Sequence, residues 1–355
     1  MNITRRGLLG GGAALAATVG GLLWLPQAAA RSCLISCVRR PDGRHAAVAV
    51  NLQGHTLWAF DLPGRGHDVE LSPDQQRVAV FPRRPGQQVW ILDTADGRLL
   101  QTLQAPSRHQ FNGHGVFSPD GQWLYVVETR YGQAVQGQVA LYDSHSGQRL
   151  QAWDSAGLDP HQCSWCDGAL VVANGGYIEP EQGDATKVLD PSRPPNLAWI
   201  DPSHGTLLRR DLLADPELSI RHLDVAQGQV FVGFQHHQGA AAQAPLMGMA
   251  SRQQPLRPLA EPAMGWKVFQ GYIGSVAVAA EPGLVVATSP RGNAVGLWDL
   301  RDGAAQSLVP AADVCGAGSH QGQWISTTGH GQLLINGQAV AHCDYAFDNH
   351  LALLG

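Results

Sequence analysis

A strand–turn–strand unit headed by a histidine recurs along this chain, and it restricts the possible folds more than any other feature. Its clearest copy runs from Gly113 to Glu128. A short strand (114–118) is followed by the turn Pro119–Asp120–Gly121 and an alternating apolar strand that ends at Glu128. Proline presets φ for such a turn and glycine relieves it. Aligned on the head of the unit, His67, His114 and His161 fall 47 residues apart, and His222 follows 61 residues later. A Pro- and charge-rich insertion between Gly176 and Pro195, with the character of a loop, absorbs the longer step. Further units begin near Gly271 and Cys315, and an N-terminal one begins near Cys33.

Each unit continues in the same way. The second strand is apolar (77–81, 123–128, 169–173, 229–234, 284–288 and 324–328), and the third ends in an acidic turn residue at Asp93, Asp143, Asp201 or Asp299. A fourth strand follows in most units. The 42 glycines and 22 prolines punctuate short apolar runs, and helix-forming runs are nearly absent after residue 30. Three or four strands in about 45 residues is the period of a β-propeller blade. The chain is therefore expected to be all-β: a seven-bladed propeller, with eight blades as the alternative. The first unit lacks an obvious fourth strand. The tail from Asp344 to Leu354 is expected to pair with that N-terminal blade and close the ring, which removes an open edge.

Residues 1–30 read as a targeting segment rather than part of the fold, so the propeller domain is expected over 31–355. Arg5–Arg6 with Leu8 and Leu9 form a twin-arginine signature, a modest apolar stretch follows, and Ala28–Ala30 offer a cleavage site. Export to the periplasm is expected, with no membrane span left after cleavage. A formal net charge of −5 gives no basis for binding nucleic acid or an anionic membrane surface. Six cysteines in an oxidising compartment have the chance to pair. Cys163 and Cys166 read either as a disulfide or as two buried thiols. They lack the following histidine of a haem attachment site and make a weak zinc motif.

In a propeller, residues that enter the first strand and those that leave the second converge on one mouth of the central channel. The entries here are His67, His114, His161 and His222, flanked by His109 and Arg221. The exits include Arg83, Arg84, Glu128, Asn174, Gln235 and Arg291. A histidine at strand entry often only ties strands together within its own blade. The mixed set of guanidinium, carboxylate and amide groups opposite argues for more than that. Three chemistries fit. The four in-phase imidazoles (67, 114, 161, 222), with the one carboxylate, suit iron, copper or zinc. The arginines suit carboxylates or another anion, including a siderophore or the propionates of haem. Glu128 or a histidine suits general-base work in a metal-dependent hydrolase. No nucleophile triad or phosphate loop is evident.

Many ordered motifs carry a family resemblance. They include Arg65 to His67, Arg83 to Gly86, Arg108–His109 with 113–118, Pro160–His161, Val172 to Gly176, Ser219 to His222, Gly271 to Val276, Ser289 to Gly292 and Asp348 to Leu351. Together they resemble domain-of-unknown-function family 1513 over essentially the whole mature chain. The resemblance implies a twin-arginine-exported periplasmic propeller linked to iron uptake, alongside imelysin-like and di-haem oxidoreductase-like proteins. It implies no particular reaction. The chain departs from the family pattern at Gln162, where a glutamate usually follows the histidine, and around Lys187 to Pro194. The expected function is non-enzymatic: a histidine-lined mouth that binds a metal, haem or a metal chelate. A metal-dependent hydrolase or oxidoreductase and a protein-interaction scaffold are the alternatives.

Overall fold

The computed structural model describes residues 32–178, 181, 188–241 and 243–355. The expected export segment, 1–30, lies outside them. Seven four-stranded antiparallel sheets account for nearly all the regular structure. Two short 3₁₀ turns, Gly239–Ala241 and Trp266–Phe269, and one two-stranded ribbon complete it among the described residues. Among the described residues no helix is long and apolar enough to cross a membrane.

We number the sheets as blades in chain order. The innermost strands are Ala346–Leu354 in blade 1, Gly66–Leu71 in blade 2, His109–Phe117 in blade 3 and Pro160–Cys166 in blade 4. Leu218–Ala226, Ser275–Ala279 and Val314–His320 serve blades 5, 6 and 7. Each inner strand packs against the next, and the series returns from blade 7 through blade 1 to blade 2, so the ring closes. Seven blades are formed, not eight.

Closure follows the expected pairing but shifts the phase of the first unit. Cys33–Arg39 is the second strand of blade 1, and the C-terminal strand Ala346–Leu354 lies inside it, with Cys33 opposite Leu354. The tail therefore supplies the strand that faces the channel. The first and last described strands share one sheet, and their pairing fastens the ring, leaving each blade only a short outer edge.

Local chemistry explains the hairpins. Ser72 and Ser118 open the turns between inner and second strands. Each hydroxyl donates to the aspartate two residues on (Asp74 at 2.6 Å, Asp120 at 2.5 Å). Gly121 takes the left-handed φ of 70° that closes the second turn. Gln75 adopts φ 56° in the matching place of blade 2, where glycine is missing. Apolar clusters fill the spaces between neighbouring blades; one joins Ala79 and Phe81 of blade 2 to Phe117, Leu124 and Val126 of blade 3. Tryptophan indoles tie blades together through N–H donors, Trp58 to the Thr94 carbonyl and Trp165 to the Phe117 carbonyl.

The insertion between Gly176 and Pro195 is more than a loop. Tyr177–Ile178 pairs with Val188–Leu189 in a small antiparallel ribbon. No disulfide forms among the described residues, and Cys163 and Cys166 are buried thiols.

Candidate metal centre

Six of the seven inner strands are irregular at the same level. In blade 2, His67 and Asp68 interrupt the pairing between Gly66 and Val69. In blade 3, Asn112, Gly113 and His114 do so between Phe111 and Gly115. His161 is the extra residue in blade 4, Arg221 in blade 5 just before His222, and Asp348 to His350 in blade 1. A bulge bends a strand and re-aims its side chains. Here the bulges deliver five imidazoles to one place.

Those imidazoles form a closed ring. Going round from His350 through His67, His114, His161 and His222 and back, successive ring centroids lie 4.9, 4.8, 4.8, 4.8 and 4.8 Å apart. His114 also lies 4.7 Å from His350 across the ring, so it is the most central. All five are buried, His114 completely. Gly113 makes this approach possible: it holds φ 101°, and a Cβ there would meet His67 at 2.8 Å.

Carboxylates support the ring from behind. The Nδ1 of His114 lies 2.7 Å from Asp68 Oδ2, and that of His67 lies 3.2 Å from Asp348 Oδ1. An ionised carboxylate only accepts, so each Nδ1 donates and Nε2 keeps its lone pair. Burial works to raise the Asp68 pKa, but His114 and His350 outweigh it and hold the carboxyl below its usual range. Burial pushes His67, His161 and His222 well below the ordinary imidazole pKa, and neighbouring imidazoles add to the effect. Burial likewise brings His350 down to about 4. These four rings are neutral at pH 7 and available as ligands.

Two overlapping trios have one ligand atom from each member within 4.8 Å of one another: His67 with His114 and His350, and His114 with His161 and His222. A tetrahedral ion bound at its usual nitrogen distance holds its donors about 3.4 Å apart. At most about 1.4 Å per donor pair separates either trio from that spacing. Nε2 of His114, His161 and His350 and Nδ1 of His222 are buried without any hydrogen-bond partner.

Outward from the ring lies a polar cavity of about 480 Å³, lined by His67, Arg83, Arg84, His161, Arg221, His222, Gln235 and Arg291 among others. These eight expected residues share one site, with His114 buried behind them. Arg84 and Arg221 grip opposite oxygens of the buried Asp159, Arg221 at 2.7 Å. Gly175 passes so close that a Cβ would meet Asp159 at 2.6 Å. Arg291 stacks on Tyr272, and the Gln235 amide donates to the Ile273 carbonyl.

Three expected residues are placed elsewhere. Glu128 does not return to the channel mouth. It lies on the same face of its strand as Leu124 and Val126, which pack toward blade 2, and its carboxylate pairs with Arg149 of the outer strand. Burial raises its pKa although Arg149 opposes the shift. Asn174 ties blades together instead, donating to the Ser155 carbonyl and to Asn196 Oδ1. His109 starts the inner strand of blade 3 and turns back to the preceding loop, with Nδ1 3.0 Å from the Ser107 carbonyl oxygen. The residues that sequence reasoning left out of the site are His350, Asp68, Asp348 and Asp159. His350 carried a signal, since it stands in an Asp–Asn–His run in the closing strand. Asp68 sits next to an entry histidine.

Comparisons with known proteins agree on the fold. BamB from Moraxella catarrhalis is similar in structure, with a TM-score of 0.52 at 11% identity over 90% of this chain and 88% of that one. Hydrazine synthase of Kuenenia stuttgartiensis gives 0.63 at 12% identity over 84% and 94%. U3-55K gives 0.57 at 13% identity over 84% and 89%. At these identities the likeness is one of fold alone. A search of curated proteins finds no sequence match. The family described as "Protein of unknown function (DUF1513)" matches residues 60–354, which takes in six complete blades, the end of the outer strand of blade 1 and all of the closing strand. The chain belongs to that family.

Proposed function

We propose that this protein is a periplasmic, non-enzymatic metal-binding propeller. It holds one first-row transition-metal ion in the five-histidine ring and serves iron uptake as an accessory protein. One observation carries the reading: four ring nitrogens of one cluster are buried with no partner. Buried polar atoms are normally hydrogen-bonded, and leaving one unsatisfied costs about 1–3 kcal/mol. An ion bound among them removes that cost. Neutral imidazole suits iron, copper and zinc, and the Asp68–His114 and Asp348–His67 pairs are the usual outer support of such ligands. Spacings of 4.7–4.9 Å between rings suit a bare ion better than a planar macrocycle inserted between them.

Export by the twin-arginine route and work with imelysin-like and di-haem oxidoreductase-like partners follow from the Arg5–Arg6 signature and the family's character. The test is elemental analysis, with an absorption spectrum, of protein purified after export. About one equivalent of iron, copper or zinc per chain is expected. His114→Ala, which removes the member common to both trios, is expected to weaken binding by more than about 100-fold. Protein that is metal-free after export and takes up none of these ions on titration would overturn the reading.

A further inference from the structure

The cavity above the histidine ring is built for something larger than an ion. None of the described residues that line it is acidic, while Arg83, Arg84, Arg221 and Arg291 all do. Arg84 and Arg221 both pair with the carboxylate of Asp159. The side chain of Arg83 has no hydrogen bond or ion pair among the described residues, and Arg83 is exposed. Arg291 is exposed too, and its guanidinium lies 4.4 Å from the Tyr272 ring centre with no ion pair among the described residues. Stacking orients such a group while leaving its donors available.

Charge and geometry together describe the occupant. The cavity floor is imidazole and its wall is guanidinium. Planar guanidinium forks pair with carboxylates through two parallel hydrogen bonds. A chelating anion has some oxygens on its metal and others free, and the free ones need such donors. The geometry points to a small polycarboxylate as the cavity's ligand, held by Arg83 and Arg291 with the Arg84–Asp159–Arg221 group behind. The metal of the ring is thus handled as an anionic polycarboxylate chelate. This assignment rests on the metal-binding reading for its purpose, but the anion site stands on its own residues.

Calorimetric titration of citrate into the full chain, after its metal has been stripped with a chelator and the chelator removed, tests the anion site without the metal. Saturable binding is expected, and it should weaken as salt rises past about 0.15 M, where exposed charges are screened. Arg83→Gln and Arg291→Gln, both at exposed positions, are each expected to weaken citrate binding by at least about tenfold and leave titration with the bare metal ion unchanged. No citrate binding, or binding indifferent to both substitutions, would overturn the proposal. Inorganic phosphate binding as tightly as citrate would overturn the polycarboxylate assignment. Citrate binding by a protein that takes up no metal would sink the metal reading alone.

Discussion

Blades 1 to 5 and blades 6 and 7 perform the same architectural task with different inner strands. In the first group every inner strand carries a histidine at or beside a bulge. In blade 6, Ser275–Ala279 pairs with its neighbour without interruption, Ser275 opposite Thr288. Blade 7 does bulge, but its irregular residues are Cys315 and Gly316. The Thr288 hydroxyl, on the second strand of blade 6, donates to the Cys315 carbonyl on the inner strand of blade 7 at 2.5 Å. A blade of this propeller therefore closes without a histidine, and it bulges without one. Blade closure by itself therefore does not account for the imidazoles of blades 1 to 5, and their ring closes from His222 to His350 across the gap that blades 6 and 7 leave. The same blade can also hold both kinds of polar group: His114 turns to the channel, while Glu128 on the next strand turns outward to Arg149.

The contrast can be broken in three places. Glu128→Ala removes a structural partner. It leaves Arg149 without its carboxylate and is expected to cost about 4 kcal/mol of stability, read by denaturant unfolding. Metal content should be unchanged, and a variant that loses metal while keeping its stability would return Glu128 to the site. Asp68→Asn removes the support behind His114 and keeps the shape. A loss of about 10–100-fold in metal affinity, with little change in unfolding midpoint, is expected; the reverse pattern would make Asp68 a structural residue. Thr288→Val, in blade 6, which adds no imidazole to the ring, should cost about 1 kcal/mol for one lost hydrogen bond and leave metal affinity as it was. An effect of Thr288→Val on metal binding would show that the two groups of blades are coupled.

Much of this was legible in the chain. The period of the histidine-headed unit announces blades, and the turn chemistry at Ser72 and Ser118 marks their inner hairpins. The common phase of His67, His114, His161 and His222 places four rings of the five. Glu128 was misplaced because exit from a strand locates a residue along the blade, whereas parity with Leu124 and Val126 decides which way its side chain points. Asn174 was misplaced for a related reason: its strand ends beside an inter-blade loop, and its amide bonds there instead of reaching the cavity.

His350 marks the boundary between the two kinds of information. Counting units from Cys33 makes the first strand of the chain the first strand of a blade, and it leaves the tail as an appendage. Ring closure reverses that order. The last strand pairs inside the first, which fastens the two ends of the ring into one blade, and that pairing sets the fifth imidazole 4.9 Å from His67. The sequence by itself determined the repeat, the turns and the residue types offered at the channel. Only the tertiary structure decided which of them meet, because bulges aim side chains one strand at a time, and the distance from residue 67 to residue 350 is settled by closing the ring.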